Sequence, residues 1–191
     1  MAQLDTIQDF ILHWGEMGSR WGVSRSVAQM HALLYLADAP LPAETIAERL
    51  GLARSNVSTG LRELQGWALI RTAPVPGDRR DHFVAETDPL EMMRRIVEGR
   101  RKRELEPTMR RLDELAEAAA AQEGIDATAR ARIVAMRDTV RRADALYAEL
   151  AALPARTQAW LLEAGGRLVR LLPKSRRREA QDVTTPEREE T

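Results

Sequence analysis

The sequence predicts a mainly α-helical protein, and three features of the chain lead to this fold class. Apolar residues recur at steps of three and four along most of its 191 residues, which is the period of one helical face. Residues 43–66 have the pattern of two helices joined by a tight turn at Gly51. Two short strand-like segments, 67–75 and 82–87, then flank a turn rich in Pro, Gly and charge. This order predicts a winged helix-turn-helix with a two-stranded wing.

Composition limits the possible function classes. The chain carries 29 Lys and Arg and 29 Asp and Glu, so its formal net charge is zero. The absence of Cys excludes disulfides, thiol catalysis and thiolate zinc sites. The longest strongly apolar run, residues 32–37, is too short to span a bilayer, and the first residues form no basic leader region. We therefore expect a cytoplasmic protein without a membrane partner.

Local start and stop signals define the helices of the first half. Residues 4–18 show the spacing of one helical face, and Ser24 is an N-cap candidate for the helix that follows. Two prolines end that helix, and the second of them, Pro42, opens a short helix over 43–50. The next helix is predicted over 54–66, where Gly60 faces a neighbouring helix at close range.

The second half is predicted to be almost entirely helical. Pro107 removes a backbone donor, so the helix that begins near residue 90 should kink or restart there. Charged residues dominate after Pro173 and leave almost nothing to bury, which predicts disorder. The predicted organisation is an N-terminal helix (1–23), a winged helix-turn-helix domain (24–88), a helical dimerisation region (89–172) and a disordered tail (173–191).

The second helix of the motif has one apolar and one polar side. At 100° per residue Val57, Leu61 and Leu64 lie within about 60° of arc, while Thr59 and Arg62 lie opposite. Short hydrogen-bonding side chains on an exposed face suit contacts with base edges in a major groove. Arginines at the wing tip suit phosphates or a minor groove, and a histidine follows them. The predicted DNA-binding residues are Arg54, Ser55, Asn56, Ser58, Thr59, Arg62, Arg79, Arg80 and His82.

Positive charge is concentrated on this proposed contact region. Residues 49–82 contain six arginines against three acidic residues, a net charge of +3, whereas residues 1–48 carry −4. A zero total therefore does not exclude a nucleic-acid partner, because the sign of the charge changes along the chain.

With these residues in view, the chain resembles the MarR family of winged-helix regulators, in the branch named for the glycine betaine synthesis repressor (GbsR-like). The resemblance covers about residues 15–110 and lies in AQMHALLYLADAPLPAETIAERLGLARSNVSTGLRELQGWALI, VPGDRRDHF and MMRRIVEGRRKRELEP. It implies a homodimeric transcriptional regulator of double-stranded DNA, usually a repressor, with C-terminal dimerisation helices. One departure is Ala53, which stands where such motifs often have a Ser or Thr N-cap, so that Ser55 becomes an alternative helix start.

The resemblance also implies a small-molecule effector, such as a quaternary ammonium osmolyte or its precursor. Aromatic side chains bind such cations by cation–π attraction, although helical spacing also fits plain core packing. The candidate effector-binding residues are Trp14, Trp21, Tyr35, Trp67, Tyr147 and Trp160.

Other interpretations of the chain remain open. The basic cluster over 94–103 suits either phosphate contacts or a solvated helix with internal ion pairs. His31 is expected to be a packed or capping histidine. Scattered histidines and missing nucleotide or hydrolase motifs predict no metal, no cofactor and no catalytic residue. The alternative function is a protein-interaction adaptor whose winged helix does not bind DNA.

Overall fold

A computed structural model describes residues 2–171, so the predicted tail over 173–191 lies outside the described residues. Contacts divide the chain into two units, residues 1–147 and 148–191. Eight α-helices and three strands are described: α1 Ala2–Arg20, α2 Arg25–Tyr35, β1 Leu41–Pro42, α3 Ala43–Leu50, α4 Arg54–Gly66, β2 Ile70–Thr72, β3 His82–Ala85, α5 Pro89–Arg100, α6 Glu106–Ala121, α7 Ala127–Ala151 and α8 Ala155–Leu171. A π-helical turn, Arg101–Leu105, joins α5 to α6.

The mainly helical winged helix-turn-helix is confirmed, with one more strand than expected. The antiparallel sheet has the order β1-β3-β2, and Leu41 pairs with Phe83 at its edge. Wing strands β2 and β3 pair with Ile70 opposite Ala85. A two-residue strand has no periodicity to detect, and the prolines beside it indicated only the end of a helix.

The two motif helices have the predicted bounds, 43–50 and 54–66. Gly51 ends α3 in the left-handed region at φ +63°, which glycine adopts without a steric penalty. Ile46, Val57, Leu61 and Leu64 are buried as expected. The helix α4 begins at Arg54 with Ala53 as an N-cap that makes no side-chain hydrogen bond, so the later start at Ser55 is wrong.

Gly60 allows α4 to pack closely against α2. A Cβ atom at this position would overlap the Met30 Cε atom and would lie 3.3 Å from Cγ2 of Val27. Met30 is completely buried and cannot move into solvent. The close approach predicted for Gly60 is therefore present in the fold.

Pro107 restarts the helix, as predicted. The backbone N–H of Glu106 donates to the carbonyl of Arg101, a five-residue step that marks the π-helical turn. A widened turn before Pro107 avoids the clash between a proline ring and the carbonyl four residues earlier. Pro107 itself lies in the first turn of α6, where its missing N–H leaves no bond unmade.

The helices after the wing leave apolar side chains exposed. The 25 residues of α7, which all belong to the described chain, include none that is buried. Exposed large apolar side chains on α5, α6 and α7 are Met93, Val97, Leu115, Met136, Leu146 and Leu150. Such a surface exceeds what a small winged domain needs for its own core.

Candidate nucleic-acid interface

The outward face of α4 is polar and exposed. Arg54 and five further predicted DNA-binding residues of this helix are exposed, namely Ser55, Asn56, Ser58, Thr59 and Arg62. The Arg62 guanidinium lies back along the helix, where Nε donates to the Ser58 carbonyl at 3.3 Å and Nη2 to the Thr59 hydroxyl at 3.4 Å. The apolar side of α4 is buried against α2 and α3, so its hydrogen-bonding side faces solvent.

A tight turn forms the wing tip. Val75 and Asp78 form an isolated bridge around Pro76 and Gly77, and the Asp78 N–H donates to the Val75 carbonyl at 3.1 Å. Gly77 has φ +84°, the left-handed value that the third position of a type II turn requires after proline. This turn places the two arginines that follow it at one end of the sheet.

The two wing arginines have different surroundings. Arg79 is exposed, and no hydrogen bond or ion pair is found for it among the described residues. Arg80 donates from Nε to both Asp78 carboxylate oxygens, at 3.0 and 3.1 Å. Hydrogen bonds from Arg80 hold the pKa of the Asp78 carboxyl well below its usual range. Of the two arginines at the wing tip, Arg79 is thus the one that is free to meet a phosphate, while Arg80 is already paired.

His82 begins β3 directly after the wing tip, but its side chain is not on the surface. Its side chain is buried, Nδ1 lies 2.9 Å from the Arg80 carbonyl, and Nε2 lies 3.3 Å from Asp78 Oδ2. Both ring nitrogens therefore have partners within the wing. The sequence did not identify Asp78 as the residue that joins Arg80 to His82; an acidic residue two positions before an arginine in a turn is the signal that could have revealed it.

The basic cluster over 94–103 is engaged within the protein. Arg94 and Arg95 each pair with Glu91 at 2.7 Å, and Arg101 pairs with Asp144 at 2.6 Å. Two members of the cluster also donate to backbone carbonyls of the winged region: Arg103 to that of Gly66 at 3.4 Å and Arg95 to that of Ala68 at 2.5 Å. Of the two interpretations, internal pairing describes these side chains better than phosphate contact.

A small cavity of about 60 Å³ lies between α1, α2 and α5. Its lining includes three of the candidate effector residues, Trp14, Trp21 and Trp67, together with His31 and Arg100. The side chain of His31 is 3% exposed, and its Nε2 atom has no hydrogen-bond partner among the described residues. Burial lowers the pKa of His31 to about 4, so this imidazole is neutral at pH 7.

The other three candidate effector residues lie elsewhere. Tyr35 stacks on Phe10 with ring centroids 6.5 Å apart, and Tyr147 borders a shallow surface beside Val97 on α5. Trp160 belongs to the second unit and is 56% exposed. Within the described chain, half of the six aromatics therefore line one cavity.

Metal ions and membranes are two further classes of partner. Among residues 2–171, no group of three or more His, Asp or Glu side chains is arranged to hold a metal ion. None of the described helices is long and apolar enough to cross a membrane.

Comparisons with known proteins point to one family. The model of the MarR family matches residues 21–81, which contain α2, α3, α4, β2 and the wing turn. A solved structure described as a transcriptional regulator is 22% identical, covers 86% of this chain and 99% of its own, and has a TM-score of 0.49. A transcriptional regulator from Thermotoga maritima is 21% identical over 64% of this chain and 92% of its own, with a TM-score of 0.36. No curated protein matches the chain. The winged region is thus similar to MarR-family domains.

Proposed function

We propose that this protein is a homodimeric, sequence-specific DNA-binding regulator of transcription that acts as a repressor. The observation that carries the proposal is the exposed polar face of α4, which lies in the same domain as a wing with a free Arg79. The similarity of residues 21–81 to the MarR family supports a regulator and not an enzyme. In the proposed complex α4 enters the major groove, and Arg79 contacts the backbone or minor groove beside it.

The exposed apolar surface of the later helices supports the homodimer. A second copy would cover residues such as Met93 and Met136, which are 45% and 57% exposed. Two-fold symmetry would present two α4 helices to half-sites about 34–36 Å apart. We propose that a ligand that changes the angle between the two copies moves these helices out of register and releases the DNA.

The decisive experiment is a titration of duplex DNA with the full chain at several salt concentrations. The region upstream of its own gene is compared with a random duplex, and stoichiometry is read from the same data. Specific binding by two chains per site is expected. If neither duplex binds even at low salt, the regulator proposal fails and the protein-interaction adaptor becomes the better account.

Arg79→Ala is expected to weaken binding and to reduce the slope of log K against log salt by about 0.9, the value for one lost phosphate contact. The double variant with Arg80→Ala should lose further affinity, because the Asp78 carboxylate then lacks its arginine partner and repels the DNA backbone. Arg111→Ala is the matched control, since this α6 side chain is 68% exposed and lies outside the wing. Full affinity with an unchanged slope in Arg79→Ala would remove the wing from the proposed interface.

We also propose that a quaternary ammonium osmolyte is the effector and binds in the cavity at Trp14 and Trp21. Arg100, which also pairs with Glu104, lines this cavity, and among the described residues no carboxylate belongs to the lining, so a ligand carboxylate meets a cation there and a ligand ammonium meets no anion. Trp21 is half exposed, and a ligand larger than the present volume would have to displace its side chain. The zwitterion glycine betaine therefore suits the cavity better than its cationic precursor choline.

Glycine betaine at 100 times its Kd should stabilise the protein by about 2.7 kcal/mol and raise its Tm by several degrees, whereas choline should not. Thermal-shift measurements on the full chain test this. Trp21→Leu should abolish the shift, and Trp160→Leu, which changes a similarly exposed tryptophan that is not among the residues lining the cavity, should keep it. An equal response to choline, or a shift that survives Trp21→Leu, would contradict the site.

A further inference from the structure

The C-terminal end of α4 is in contact with α5 and the π-helical turn that follows it. Trp67 is the C-cap of α4, and its N–H donates to the Glu63 carbonyl at 3.1 Å. Ala68 next adopts φ +55°, a left-handed value that is uncommon for a residue other than glycine, and Leu69 donates to the Leu64 carbonyl at 3.0 Å. The Trp67 side chain is thus fixed relative to the axis of α4.

Gly99 brings the Trp67 indole against α5. A Cβ at this glycine would lie 2.5 Å from Cε3 and 2.7 Å from Cζ3 of the ring. Such distances are shorter than any van der Waals contact, so only glycine allows the ring to lie there. The packing of Trp67 on Gly99 therefore sets how closely the end of α4 approaches α5.

Arg103 covers the same ring from one helical turn further along. Its Cζ atom lies 4.0 Å from the ring centroid of Trp67, within the range of a cation–π interaction. Its Nη2 also donates to the carbonyl of Gly66 at 3.4 Å. That carbonyl belongs to the last turn of α4, where unpaired acceptors and the negative end of the helix dipole favour a cation.

We propose that Arg103 is a positioning residue for α4, one that sets the direction of this helix on the DNA without touching the DNA itself. The proposal rests on the function proposed above. Arg95, by comparison, also pairs with Glu86 and Glu91, whereas every contact found for Arg103 among the described residues goes to Gly66 or Trp67. Arg103 lies at the C-terminal end of α4, while base contacts of such helices come from the N-terminal end.

The test compares Arg103→Lys and Arg103→Gln with Lys102→Gln. Lys102 is the matched control because it lies in the same turn, is 64% exposed and pairs with Glu98 instead of α4. Affinity for the upstream duplex and for a random duplex is measured against salt. Arg103→Gln should lose about threefold to tenfold in the ratio of specific to random binding with no change in the salt slope, and Arg103→Lys, whose ammonium can still lie over Trp67, should lose less. Lys102→Gln should leave the ratio unchanged.

A second readout does not depend on DNA. Hydrogen exchange at the amides of residues 64–69 should become faster in Arg103→Gln than in Lys102→Gln, while that of α2 stays the same. If Arg103→Gln keeps normal specificity, or if it lowers the salt slope by about one as the loss of a charge on the DNA would, the inference is overturned. Unchanged exchange overturns it as well. Faster exchange in a protein that binds no duplex supports the contact to α4 and refutes only the proposed function.

Discussion

Gly60→Leu is expected to lower the free energy of unfolding by about 2 kcal/mol. Adding a side chain between two packed helices costs about 3 kcal/mol at the upper end of overpacking, because it meets both the fully buried Met30 side chain and Cγ2 of Val27. The replacement of a helical glycine returns about 1 kcal/mol, which is not enough to offset that cost. The measurement is urea unfolding followed by circular dichroism.

Gln65→Leu is the control for this change. It introduces the same side chain into the same helix at an exposed position, so its effect should stay within about 0.5 kcal/mol. The cause can be isolated as well: in a Met30→Ala background the leucine side chain added by Gly60→Leu has room, and the cost of the substitution should shrink. Equal costs in the two backgrounds would show that the overlap with Met30 is not the reason.

Acidification from pH 7 to pH 5 is expected to destabilise the protein by about 2 kcal/mol through His31 alone. Burial depresses the pKa of this imidazole from 6.5 to about 4, so the unfolded chain binds a proton that the folded chain does not. The contribution of the neutral His31 imidazole to the free energy of unfolding is fully present above pH 6.5 and is lost as the pH falls toward 4. The loss approaches about 3 kcal/mol at that pH. Urea unfolding at a series of pH values measures it.

Two histidine variants separate this effect from general acid sensitivity. His31→Phe keeps an aromatic ring in the buried position but cannot titrate, so its stability should be nearly flat between pH 7 and pH 5. His13→Gln removes an exposed histidine of α1 and should keep the dependence of the natural protein. If the free energy of unfolding of His31→Phe fell with pH as steeply as that of the natural protein, another group would have to take up the proton.

The bounds of the motif helices could be predicted because their signals are local. Pro42 cannot continue a helix yet suits a helix start, and Gly51 adopts the left-handed conformation that ends one. Pro107 likewise fixes the restart of the helix after the wing. The two-residue strand β1 could not be predicted in this way, because it is defined only by its pairing with the distant strand β3.

Contacts between distant residues account for what the sequence left open in the candidate site. A count of charges along the sequence does not distinguish Arg79 from Arg80. In the structure, the turn at the wing tip pairs Arg80 with Asp78, whereas Arg79 has no ion pair among the described residues. Arg103 looks like any member of a basic cluster until the chain places it over Trp67, far earlier in the sequence. The proposed roles of all the predicted DNA-binding and effector residues stay predictions.

The sequence by itself determined the helices, the turn at Gly51, the wing and the polar face of α4, since each depends on residues within one or two turns of one another. Only the tertiary structure decided which cations are free, why Gly60 is needed beside Met30, and that His31 is buried without a partner for Nε2 among the described residues. The physical reason is that charge pairing and desolvation depend on distances through space, and a linear pattern does not contain those distances.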